Sequence, residues 1–235
     1  MHTANRATPH LVLGILTLLS LAALVLSLDT APPVAQTHLR SAAANVTGAS
    51  SFILTDVVTQ GPPASSPTGT STTRQEAVFV YQAPDRVQET VQAGGQTGTV
   101  LWLGQHAYER IGNSKWFPLR AASGRTGSTG ELAAAQLLFP LQSIAHATSV
   151  TKHGTIYVFT PSQQQLLMTR LFGSQLPSGA MSFEATVGDE FLKVAQISIV
   201  GITERRTVDL ALSRIDNAPA LQAPPPSQIS SSPLG

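Results

Sequence analysis

Short apolar stretches alternate with turn-forming residues along most of this chain, and the dominant period is two. Ser51–Thr59 (SFILTDVVT) and Glu76–Tyr81 (EAVFVY) are rich in β-branched and aromatic residues and predict strands. Arg86–Gln92 and Thr97–Leu103 predict a hairpin around Gly94-Gly95, entered from Tyr81 through a Pro84-Asp85 turn. His106–Ile111 and Trp116-Phe117 predict a second pair closing over Gly112-Asn113, and Thr155–Thr160 a short strand. Met181–Val187, Glu190–Val200 and Arg206–Arg214 read as a three-stranded meander. Strands at this spacing, with few helices between them, predict one large antiparallel sheet.

Three stretches follow a helical period instead. Thr37–Asn45 is alanine-rich and predicts a short helix. Glu131–Ala147 spaces Leu132, Gln136 and Phe139 by helical steps, with Pro140 expected to divide it into two short helices. Pro161–Phe172 begins with a proline suited to a first turn and is followed by Gly173. Its Leu167, Met168 and Leu171 form an apolar stripe that would pack on the sheet. The expected class is therefore α+β: a curved antiparallel sheet covered on one face by a few short helices.

One run breaks the pattern. Leu11–Leu28 (LVLGILTLLSLAALVLSL) contains neither charge nor proline. A helix of that length spans ~27 Å, close to the ~30 Å of a bilayer core. Residues 1–10 form a short cap carrying Arg6, and 29–36 a proline-containing linker. The run is long for a signal peptide and the following residues offer a poor cleavage site. It reads as an uncleaved single-pass transmembrane anchor with the C-terminal domain outside the cytoplasm; secretion after signal cleavage is the alternative. The domain proper is expected over 37–217, interrupted by loops at Gly61–Thr73 and Ala121–Gly130. The Pro/Ser-rich tail 218–235 is expected to be disordered.

Composition removes several functions. With no cysteine, disulfides, zinc–thiolate sites and thiol nucleophiles are absent, and so is the lipobox of a lipoprotein. Fourteen basic against 13 acidic residues give a net charge of +1 without a basic stripe, so nucleic acid is no partner. Ser149-Val150-Thr151-Lys152 matches a Ser-x-x-Lys pattern but stands where a strand begins, without its partner motifs. Gly124–Gly130 shares only glycine content with a phosphate loop. The six histidines lack metal-ligand spacing. Asn45-Val46-Thr47 satisfies a glycosylation sequon, and Trp102 and Trp116 are suited to stacking on a ligand or to filling a core. No catalytic residue, metal site or cofactor emerges, and the chain is not read as an enzyme.

Four segments carry a resemblance: YQAPDRVQET, VLWLGQHAYERIGNSKWF, LQSIAHATSVTKHGTIYVF and LSRIDNAPALQAP. In these, and in the order helix, hairpins, helices, meander, the chain resembles the LolA-like lipoprotein-carrier superfamily, nearest the actinobacterial LppX/LprG-type lipid-binding lipoproteins. That resemblance implies an unclosed β half-barrel plugged by helices, with an apolar cavity for acyl chains between the layers. It implies a partner that is a lipid or acylated molecule. A hydrocarbon chain gains ~0.8 kcal/mol per buried CH₂, so the lining must be apolar. The candidates are Phe52, Leu54 and Val58, then Val78 and Val80, Leu101 and Leu103, and the helix residues Leu137, Leu138, Leu167 and Phe172. Where LppX/LprG-type proteins carry the lipobox cysteine, this chain has none; a helix anchor would keep the domain at its membrane. The expected function is extracytoplasmic, membrane-tethered binding of a lipid or lipidated partner, with a possible role in lipid or lipoprotein transport. The alternative is a tethered envelope sensor or protein-interaction domain with a filled core, no ligand and an envelope protein as partner.

Overall fold

The computed structural model describes residues 33–62, 72–119, 128–172, 179–201 and 204–230. Eleven strands form one open antiparallel sheet. They are β1 (Ser51–Gly61), β2 (Thr73–Gln82), β3 (Arg86–Ala93), β4 (Gln96–Leu103), β5 (His106–Ile111), β6 (Phe117–Leu119), β7 (Ser149–His153), β8 (Ile156–Thr160), β9 (Gly179–Val187), β10 (Leu192–Gly201) and β11 (Arg205–Ser213). Their order is β6-β5-β4-β3-β2-β1-β11-β10-β9-β8-β7. Two meanders thus meet where β1 pairs with β11, in register from Ile53↔Ser213 to Gly61↔Arg205. Tight turns make the neighbouring pairs: Gly94 and Gly95 both take positive φ, the conformation a two-residue hairpin loop needs.

Among the described residues three α-helices accompany the sheet: α1 (Pro33–Thr47), α2 (Thr129–Ala145) and α3 (Gln164–Phe172). All three pack on one face, here called the inner face. Alternation assigns that face: Phe52, Leu54, Asp56 and Val58 share it on β1, and the register carries it to Tyr81, Phe79 and Ala77 on β2. The main core lies there, with Leu39 and Val46 of α1, Leu141 and Ile144 of α2, Leu167 and Met168 of α3, and Ile197 and Leu210 of the sheet. These side chains are essentially solvent-free.

The first turn of α2 fixes that helix to the sheet. Ser128 and Glu131 form a capping box, each side chain accepting from the other residue's backbone N–H at 3.0 Å. Gly130 then donates its N–H to the Gly104 carbonyl at 2.8 Å. A Cβ at position 130 would lie 2.0 Å from the Asp85 carbonyl oxygen, so only glycine permits this approach.

Several expectations need correction. Pro140 does not divide α2, which runs unbroken through it. A mid-helix proline costs ~3 kcal/mol, but Leu137 before it and Leu141 and Ile144 after it are buried, and each such side chain contributes ~1.5–3 kcal/mol. The third helix starts at Gln164 rather than Pro161, after Gln163 with φ 51°. The tail expected to be disordered packs, over its described residues 218–230, across the outer face. Trp116 donates its N–H to the Gln228 carbonyl at 2.8 Å and its own carbonyl accepts from Ser230 at 2.7 Å. The Leu221 N–H donates to Gln82 Oε1 at 2.7 Å. There Val80, Leu101, Trp116 and Leu221 form a second, smaller core. The run Leu11–Leu28 lies outside the described residues, as does most of both predicted loops. Among the described residues no helix is long and apolar enough to cross a membrane.

Candidate functional site

Between the inner face and helices α2 and α3 the layers part, leaving a half-open cavity of about 230 Å³. Helix α2 supplies its roof through Ala133, Gln136, Leu137 and Pro140, four positions on one helical stripe. Leu171 of α3 closes one side. The floor consists of inner-face residues: Leu54 and Asp56 from β1, Phe79 from β2, Glu89 from β3, Trp102 from β4 and Leu210 from β11. Pro140 has a local consequence beside the cavity, since it offers no N–H to the Gln136 carbonyl that would ordinarily receive one.

Two carboxylates stand in this apolar floor. Asp56 interrupts the row Phe52, Leu54, Val58, and Glu89 lies opposite Phe79, the residue that itself pairs with Leu54. Burial, then the neighbouring charges of Glu89 and Asp209, push the Asp56 carboxyl up to about 6. Burial also raises Glu89 above the ordinary carboxylate range. Asp56 Oδ1 is buried without a hydrogen-bond partner. Among the described residues the salt bridges are Arg74–Glu76 and Arg206–Glu204, so neither acid of the cavity is paired. Such groups are costly to retain in a core and are common at binding and catalytic sites.

The predicted lining residues divide among three locations. Leu54 and Leu137 meet at the cavity. Phe52, Leu167 and Phe172 are buried in the main core, with the Phe52 ring 4.9 Å from that of Tyr81, and Val58 and Leu138 pack against that core. Val78, Val80, Leu101 and Leu103 face the other way. Phe52↔Tyr81 and Leu54↔Phe79 leave the even-numbered positions of β2 on the outer face, where Val80 pairs with Gln88 and Gln88 with Leu101. Val80 and Leu101 belong to the core under the C-terminal tail, and Leu103 packs against it. These four cannot line the same cavity as Leu54. Phe79, Trp102, Leu171, Leu210 and the two acids take their places. The acids had a visible signal: a charge replacing an apolar residue within a same-face row.

Other motifs lie apart from the cavity. Ser149–Lys152 is in the edge strand β7, and Asn45 lies in α1 with its side-chain amide donating to the Glu190 carbonyl at 2.8 Å. Trp116 belongs to the outer core beneath Arg110, whose guanidinium lies 4.5 Å from the ring centre. No group of three or more metal-ligating side chains occurs among the described residues.

No family model matches this chain. No curated protein matches it in sequence. Among solved structures, the crystal structure of the ywiB protein from Bacillus subtilis is similar to it at 11% identity, covering 69% of this chain and 92% of that one, with a TM-score of 0.20. At that level the cavity must be interpreted from its own chemistry.

Proposed function

We propose that this protein is an extracytoplasmic, membrane-tethered module that holds a hydrocarbon ligand between a β half-barrel and its covering helices. The apolar cavity of about 230 Å³ under α2 carries this reading. Taking ~30 Å³ for a group the size of a water molecule, it accepts about seven or eight methylenes. At ~0.8 kcal/mol each they contribute roughly 6 kcal/mol before the costs of association. That suits the end of a single chain rather than a whole diacyl lipid. Leu11–Leu28 would hold the domain beside the bilayer from which such a ligand comes. The resemblance to LolA-like carriers agrees with a binding module rather than an enzyme.

The test is direct. Residues 33–230, produced without the apolar run and extracted with organic solvent, are expected to release copurified lipid or acylated material detectable by mass spectrometry. Absence of such material, with no uptake of a fluorescent acyl probe, would refute the reading.

A second reading has its own observation. On the outer face of β8 and β10, Ile156, Val158, Val194 and Val200 are exposed at 36–42%. The tail covers the outer core near β2 and β4, and these four side chains stand apart from that core. As the docking surface of an envelope protein they favour a tethered interaction domain. Cross-linking of the full chain in its native membrane, with and without Val158→Lys, distinguishes the two readings.

A further inference from the structure

We propose, resting on the hydrocarbon-binding reading above, that the occupant of this cavity is a cationic amphiphile: a hydrocarbon chain ending in a protonated amine seated between Asp56 and Glu89. The lining contains these two carboxylates and no basic residue. Neither acid takes part in a salt bridge among the described residues, and Asp56 Oδ1 is buried and unpartnered. Of the cations on the surrounding elements, Arg74 of β2 pairs with Glu76 at 3.2 Å and Arg86 of β3 donates to the Leu221 carbonyl at 3.3 Å. Arg206, on the inner face of β11, pairs with Glu204 at 3.0 Å while its Nε is buried without a partner. It lies opposite Gln60, two same-face positions along β11 from Leu210, the residue opposite Asp56. Arg170 of α3 stacks 4.0 Å from the centre of the Phe139 ring. Lys152 lies 5.1 Å from that of Tyr157 on the far meander.

Negative charge in this apolar floor therefore has no complement within the cavity lining, and a ligand's ammonium group would supply one. Carboxylates accept charge-assisted hydrogen bonds from an ammonium, and the Trp102 ring beside them offers a second attraction for a cation. The same charges repel a fatty-acid anion. A neutral alcohol fills the apolar volume equally well but leaves the acids unpaired, so charge decides the preference and the hydrocarbon sets the baseline.

The experiment measures binding of radiolabelled octylamine, octanol and octanoate by equilibrium dialysis. It uses the full chain in nanodiscs, with empty nanodiscs subtracted, at a pH above both acids. We expect octylamine to bind about tenfold or more tightly than octanol, as one net charge-assisted hydrogen bond requires, and octanoate not to bind measurably. The variant carrying Asp56→Asn and Glu89→Gln is expected to bind octylamine no better than octanol. Equal affinity of the wild-type protein for octylamine and octanol, or preference for octanoate, overturns the proposal while leaving hydrocarbon binding in place. Failure of all three probes to bind overturns both. Full octylamine affinity in the double variant also overturns the proposal, and the wild-type comparison of the three probes needs no variant to fold.

Discussion

Replacing Asp56 by Asn should stabilise the domain near neutral pH, although it alters a polar residue inside the sheet. The shape barely changes, but the charge is removed from a site where burial and the charges of Glu89 and Asp209 disfavour it. Raising a carboxyl from 3.8 to about 6 corresponds to roughly 3 kcal/mol at ~1.4 kcal/mol per unit. The direction follows from proton counting. Between the two values the folded state holds more protons than the unfolded one, so this group's stabilisation is fully present below 3.8 and is lost as pH rises through about 6. The Asn variant escapes that loss. An unpartnered amide N–H costs ~1 kcal/mol at every pH, so the net gain at about pH 8 is ~2 kcal/mol. Urea unfolding of residues 33–230, followed by tryptophan fluorescence from about pH 3.5 to about pH 8, measures it. The stability difference between variant and wild type should grow by roughly 3 kcal/mol across that range, most steeply between about pH 4 and about pH 6. Parallel pH profiles, or a variant that loses ground as pH rises, would refute the placement of a disfavoured charge here.

Three other substitutions probe the architecture around the cavity. Gly130→Ala forces a methyl group against the Asp85 carbonyl and should cost ~1–3 kcal/mol in urea unfolding while also weakening ligand uptake, because α2 is the cavity's roof. Ending the chain after Asn217 uncovers Val80, Leu101 and Trp116 and removes buried Leu221; a loss of at least ~2 kcal/mol is expected, together with a red-shifted tryptophan emission. Leu54→Trp should fill the cavity and abolish uptake of an acyl probe, whereas Val80→Trp should destabilise the outer core and leave uptake intact. Equal uptake by both would show that the faces are misassigned.

Most strands were legible because each lies between strong turn formers and alternates in polarity. His106–Ile111 and Arg86–Ala93 are recovered nearly residue for residue. Which face each strand turns inward was less legible, and the cause is specific. Within β1 the alternation groups Phe52 with Leu54 and Val58 on one face, but β2 follows a long loop whose length does not set the pairing. Val78 and Val80 are as apolar as Phe79 and Tyr81, so local pattern offers two registers. The observed register, Phe52↔Tyr81, reverses the face assigned to β2. The two-residue Gly94-Gly95 turn then transmits the reversal to β4, turning Leu101 and Leu103 outward and Trp102 inward. The tail misled for a related reason. Its proline and serine content resembles a disordered segment, yet Leu221 completes a core whose other members come from β2, β4 and Trp116. Such coverage depends on what the outer face leaves exposed, which composition does not encode. Pro140 shows the same primacy of tertiary burial over local propensity.

The energetics of the inner face connect the fold to its proposed use. A core selected only for stability has little reason to keep Asp56 and Glu89 opposite α2, where burial disfavours their charge. An apolar pair of similar size would close the gap between the layers. Retaining the acids keeps that gap polar at one point and greasy elsewhere, and it leaves the empty protein poorer in stability by an amount a complementary ligand can restore. Unfolding measured with and without ligand should therefore show more stabilisation at a pH above about 6 than at a pH below 4, the reverse of the empty protein's own trend. A ligand held by hydrocarbon contacts alone would raise stability equally at both, and that single comparison separates a cavity tuned for charge from one that is merely imperfectly packed.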